Sequence, residues 1–208
     1  PNTVPPTPSS AGSVASNTGK EPPVRTPAAL VPGKLHGSAR ITGGALDLTR
    51  GGHVTFPHRE DFDLAQPLTV ECWVRLERPG QCSVIASCGL WQHTGWFLQQ
   101  LGGTWRWHVG GIDCDGGKVT PGQWTHLAAT FDGRVCRVFQ DGVQVAEKAG
   151  TPNTTPWPGD LHIGQYSPGP APQFQVTGQI AGLKIYHRAL SAGETADAAR
   201  AKPQAAGK

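Results

Sequence analysis

The stretch LTVECWVRL, residues 68–76, sets Leu68, Val70, Cys72 and Val74 against Thr69, Glu71, Trp73 and Arg75 in strict alternation. A period of two sends successive side chains to opposite faces of a strand, so one face of this segment is made to be buried. From about residue 35 the chain repeats the design in short runs broken by Gly, Pro, Asn and Asp: CSVIAS, GWFLQQL, TWRWHVGG, QWTHLAATFDG, RVCRVFQDGVQVAE, GDLHIGQY and GQIAGLKIYHRAL. Two breaks, FDGR at 131–134 and QDGV at 140–143, carry Asp-Gly, which takes the positive φ angles of tight hairpins. SARITGGALDL and GGHVTFP are expected to form a first hairpin. Ten or so short strands cannot hide their apolar faces in one flat sheet, which predicts an all-β domain of two stacked antiparallel sheets. After the last strand, Ser191 to Glu194 reads as a capping box that starts a short helix over AGETADAARA, with a frayed end at KPQAAGK.

Residues 1–33 have a different character, with eight prolines, many Ser, Thr and Ala, and no apolar period. They read as an arm or linker, which as polyproline II would reach on the order of 100 Å. A partner chain is the expected surface for this arm. The organisation is then an arm over 1–33, a sandwich over 34–196 and a tail over 197–208. The chain begins at Pro1 rather than Met, as expected of a processed or excised product whose signal peptide, if it had one, is gone.

The net charge of +3 is small and its cations are scattered, so no basic strip tracks a phosphate backbone and nucleic acid is not an expected partner. No apolar run approaches the roughly 18 to 20 residues of a membrane-spanning helix, so the chain is not expected to cross a membrane by itself. Five cysteines, Cys72, Cys82, Cys88, Cys114 and Cys136, cannot all pair within one chain. Cys72 and Cys136 fall in strand-like segments as small buried hydrophobes. Cys82, Cys88 and Cys114 lie near turns, where a disulfide among them is expected if the compartment is oxidising.

Three stretches, in order, resemble the laminin G-like domains of the concanavalin A-like lectin/glucanase superfamily. They are ALDLTRGGHVTFPHREDFDLAQPLTVECWVRL, PGQWTHLAATFDGRVCRVFQDGVQVA and GQIAGLKIYHRALS, covering about residues 38–196. The resemblance implies a two-sheet antiparallel jelly-roll sandwich. It leaves function open, since this fold serves glycosidases, lectins and adhesion modules.

Enzyme activity is not expected. Glucanases of this fold present paired carboxylates from one strand in a Glu-x-Asp-x-x-Glu pattern, and no segment here carries it. REDFD at 59–63 reads as a solvated turn. DCD at 113–115 puts Asp113 and Asp115 on one side of an extended loop, as turn chemistry or as part of a site. No Gly-x-Ser-x-Gly elbow is present.

Binding is the stronger expectation. The family pattern assigns Trp105 and Trp107 to the core, with Arg106 and His108 facing the other way, and assigns Trp73, Trp124 and His126 to the scaffold. In or beside loops remain Trp91, His93, Asp113, Asp115, Trp157 and Tyr166. Trp91, His93, Arg106, His108, Asp113 and Tyr166 form the candidate sugar site; the alternative for Trp91 is closing the sandwich edge. Related domains hold calcium through an aspartate of the closing strand, and this sequence has Ala181 there. No metal or other cofactor is expected, unless Asp47 or Asp160 substitutes as ligand. Two functions stand side by side: a lectin-like carbohydrate-binding module outside the cytoplasm, or a structural subunit of a larger assembly whose arm wraps a partner. NTT at 153–155 matches a glycosylation sequon.

Overall fold

Residues that alternate in the sequence point to alternate faces, but both faces are covered: Leu68, Val70, Cys72 and Val74 enter the main core, while Thr69, Glu71 and Trp73 on the other face are buried as well. A computed structural model describes residues 32–64 and 67–203, so the expected arm contact lies almost wholly outside the described residues. Strands are numbered β1 to β14 along the chain. One seven-stranded sheet runs, in spatial order, β1 (Lys34–His36), β4 (His53–Phe56), β13 (Leu161–Ile163), β6 (Cys82–Leu90), β7 (Thr94–Leu101), β8 (Thr104–Val109) and β9 (Ile112–Gly116). The second runs β12 (Val143–Ala149), β11 (Val135–Gln140), β10 (Thr125–Phe131), β5 (Leu68–Leu76), β14 (Gly178–Tyr186), β3 (Ala45–Asp47) and β2 (Arg40–Thr42). Every strand pairing is antiparallel.

The core lies between the sheets. From β5 it takes Leu68, Val70, Cys72, Val74 and Leu76, and from the facing sheet Cys88, Trp96, Leu98, Trp105, Trp107 and Cys114. Trp105 and Trp107 are therefore packing residues, as the family resemblance implies. The Trp96 indole N–H donates to the Phe62 carbonyl at 2.7 Å and ties the REDFD segment, a short 3-10 turn over Glu60–Phe62, to the core.

Both Asp-Gly hairpins form, linking β10 to β11 and β11 to β12. Asp141 and Gly142 have φ of 51° and 81°. A Cβ on Gly142 would lie 2.8 Å from the Cα of Ala196, so this turn is also where the C-terminal helix α1 (Ala192–Arg200) packs. Its capping box is present: the Ser191 hydroxyl accepts from the Glu194 amide, and the Glu194 carboxylate accepts from the Ser191 amide.

Three expectations are corrected. SARITGGALDL alone makes the first hairpin, β2 with β3, while GGHVTFP crosses to the other sheet as β4. The chain turns at Gly51 and Gly52, both at positive φ. DCD is not a loop but part of β9, although its carboxylates do share a face. All five cysteines are free. Cys88 and Cys114 point into the core and Cys82 to the opposite face of the same sheet, so the sheet itself keeps them apart.

On the outer face of the second sheet, Ala181 is 4% exposed and packs with Ala45 and Trp73. The carboxylate of Asp47 accepts from the Arg40 guanidinium at 2.5 Å and from the Thr49 amide and hydroxyl at 2.9 and 2.6 Å. Asp160 precedes β13 in the other sheet and accepts from the His58 amide. Neither joins Ala181 in a ligand set, and among the described residues no three His, Cys, Asp or Glu side chains are grouped to hold a metal ion.

Candidate functional site

The strands that bury Trp96, Trp105 and Trp107 on one face present Phe97, Gln99, Arg106 and Cys82 on the other, because each pairs in register with its neighbour. Gln99 faces Arg106, Phe97 faces His108, and Cys82 faces Leu101. Trp91 from the β6–β7 turn, Tyr166 from the loop after β13 and Phe174 from a 3-10 turn over Pro172–Phe174 rise beside this face. Together they enclose a cleft of about 240 Å³ lined by Cys82, Trp91, Phe97, Leu101, Arg106 and Tyr166, with Gln99 and Phe174 completing it.

The aromatic wall is internally braced. The Trp91 amide donates to the Tyr166 hydroxyl at 2.8 Å. Tyr166 meets Phe97 edge to face at 5.8 Å and Phe174 at 4.9 Å. The Trp91 side chain remains 50% exposed, so it stands at the mouth rather than closing the sandwich edge.

Arg106 is held by two carboxylates. Its Nε and Nη2 donate to the two oxygens of Asp115, each at 2.7 Å, and its Nη1 lies 3.1 Å from Asp113 Oδ2. Hydrogen bonding to Asp115 is the main reason the guanidinium pKa lies above its ordinary value. Behind it, His108 is fully buried and stacks on Phe97 with centroids 4.3 Å apart. Its Nδ1 is 2.6 Å from Asp113 Oδ1, and its Nε2 accepts from the Gly111 amide at 3.3 Å. An Nε2 that accepts cannot carry the proton, so the ring is the neutral Nδ1–H tautomer donating to Asp113. Burial pushes the Asp113 carboxyl upward, but the His108 hydrogen bond, the Arg106 guanidinium and the Trp91 side chain outweigh it and hold the carboxyl below its usual range.

Of the residues expected from sequence, Trp91, Arg106 and Tyr166 line the cleft, while His108 and Asp113 stand behind Arg106. His93 is exposed on the same turn as Trp91, its amide donating to the Leu90 carbonyl, and is not a lining residue. Trp157 packs against the core and donates to Ser167. Phe97 and Phe174 were not expected here. The alternation of GWFLQQL pointed to Phe97, which falls opposite Trp96 and Leu98, whereas Phe174 arrives from a distant loop with no local signal.

Across residues 48–196 the sequence matches the family model of the concanavalin A-like lectin/glucanases superfamily. The chain belongs to this superfamily. Among solved structures, the binding domain of Paraclostridial Mosquitocidal Protein 1 is similar with a TM-score of 0.65 at 14% identity, covering 81% of this chain and 47% of that one. Domain 4 of AbnA, an extracellular arabinanase from Geobacillus stearothermophilus solved with arabinotriose, gives 0.62 at 20% identity over 81% of this chain and 88% of that one. A structure of botulinum neurotoxin type C, whose cell entry depends on two ganglioside molecules, gives 0.65 at 10% identity over 81% and 46%. The chain thus spans under half the length of the toxin chains it matches. These likenesses show the fold alone. A 29-residue segment is 59% identical to pappalysin-1 of Mus musculus, covering 14% of this chain and 2% of that protein. No helix among the described residues is long and apolar enough to cross a membrane.

Proposed function

We propose that this superfamily domain is a non-catalytic carbohydrate-binding module working outside the cytoplasm, and that a glycan docks in the cleft between Trp91 and Phe174. The observation that carries the proposal is Arg106, fixed at the floor of a cleft whose walls are aromatic. Largely apolar walls with a few well-placed polar groups are the usual make-up of a small-molecule site. The arabinotriose-bound arabinanase domain, alike in fold, supports a sugar as occupant.

Hydrolysis of a glycoside needs one carboxyl kept protonated as the acid. Asp113 is instead held in its ionised form, and Asp115 is committed to Arg106. An oxidising location is tolerable for four of the cysteines: Cys72, Cys88 and Cys136 have thiol pKa values raised to about 12 and Cys114 to about 11 by burial, so few thiolates exist to react. The extracellular arabinanase supports the same location. The structural-subunit alternative turns on residues 1–33, which lie almost wholly outside the described ones.

A glycan array on the full chain, followed by calorimetric titration of the best binder, tests the proposal. Trp91→Ala and Arg106→Ala are each expected to weaken binding at least about tenfold, equivalent to about 1.4 kcal/mol. Binding indifferent to both substitutions, or an array without a single ligand, refutes it.

A further inference from the structure

The charge balance around Arg106 carries an inference about which glycans the cleft accepts; it rests on the cleft being the glycan site. Arginine is the usual partner of a sugar carboxylate, because its planar fork matches two oxygens at once. Here the fork is already occupied. Asp115 takes Nε and Nη2 in the same bidentate geometry that a ligand carboxylate would need, and Asp113 sits at Nη1. Of the five guanidinium N–H groups, two are bonded to Asp115 and a third is nearest Asp113, which leaves two free to donate to neutral hydroxyls. With His108 in its neutral tautomer, two carboxylates oppose one guanidinium, and the cluster keeps one net negative charge.

We propose that the cleft selects uncharged glycans and rejects acidic ones, and that Asp115 is the residue that sets this choice. An incoming carboxylate must break the Arg106–Asp115 fork or sit beside two carboxylates of its own sign. Rejection by a like charge is a common source of specificity, and it acts without any added contact to the favoured ligand. Asp115 is 42% exposed on its side chain, so replacing it leaves the core untouched.

The test compares matched neutral and acidic probes on the full chain: arabinotriose against trigalacturonic acid, and lactose against 3′-sialyllactose, titrated by calorimetry at low and high salt. The wild-type protein is expected to bind the neutral member of a pair at least about tenfold more tightly, a difference of about 1.4 kcal/mol. The gap narrows in high salt as the repulsion is screened. Asp115→Asn frees the fork and is expected to close the gap or reverse it. Equal or tighter wild-type binding of the acidic member overturns the inference while leaving a glycan site in place. A neutral preference that Asp115→Asn and salt leave unchanged overturns the role of Asp115. Failure of every probe and of the glycan array overturns the glycan site itself, and the selectivity with it.

Discussion

Phe97 on β7 and His108 on β8 lie face to face, their ring planes 6° apart. The contact joins the wall of the cleft to the group that anchors Asp113, and through Asp113 to Arg106. Aromatic packing and charge placement in this site are therefore one structure.

Replacing His108 with Ala removes the stack and the donor to Asp113 together. A buried aromatic and a hydrogen bond to a charged group each contribute a few kcal/mol, so a loss of about 2–4 kcal/mol in stability is expected by urea denaturation. Glycan affinity should fall as well, since Asp113 no longer holds its place beside Arg106. His108→Asn keeps a polar group near Asp113 and is expected to recover part of the affinity without the stacking energy. Equal affinity for Ala and Asn variants would show that the hydrogen bond does not position Arg106.

On the far side of the same sheet's outer face, His36, His53 and His162 stack in sequence at 4.6 and 5.2 Å. Burial, then the neighbouring His53, lowers the His162 pKa to about 4, and burial lowers His53 as well. An unfolded histidine takes its proton near pH 6.5. Between about pH 6.5 and pH 4 the unfolded chain thus binds more protons, and stability falls as pH falls through that window. His162 accounts for a loss of up to roughly 3 kcal/mol. Urea midpoints measured from pH 7.5 to 4 should show this slope, and His162→Gln should flatten it.

Ala181→Asp restores the carboxylate of the related domains to a position packed against Trp73 and Ala45. A buried charge without a partner costs several kcal/mol or is neutralised by a raised pKa. The variant is expected to lose about 2–4 kcal/mol at neutral pH. Added calcium should recover little of it, because the Asp47 oxygens are already taken by Arg40 and Thr49. A calcium-dependent rise in the melting temperature of more than a few degrees would contradict this account.

Ser191→Ala removes the hydroxyl that accepts from Glu194 and lies beside its carboxylate. Loss of such a cap costs about 1 kcal/mol. Helix α1 covers the outer face near Glu71 and His126, so its loosening should appear first as faster amide exchange at residues of α1, with glycan binding in the distant cleft unaltered.

Much of the fold was legible in the sequence because it is written locally. Alternation in LTVECWVRL and the family pattern over TWRWHV marked which residues face inward, the Asp-Gly pairs marked two hairpins, and Ser191 with Glu194 marked the helix start. Each depends on residues within a few positions, where backbone geometry alone sets the outcome. The same logic placed Arg106 and His108 opposite the buried tryptophans. It misread the first hairpin, since pairing of GGHVTFP depends on which sheet the chain enters after Gly52. The cleft is another matter. Trp91 and Tyr166 are 75 residues apart and meet because β13 inserts beside β6, and Phe174 joins them from the following turn. Asp115 becomes the lock on Arg106 only when β9 pairs with β8 in one register out of several. Residue type and period are properties of the chain, but which side chains converge is decided by strand order and register, which burial of the whole core selects at once.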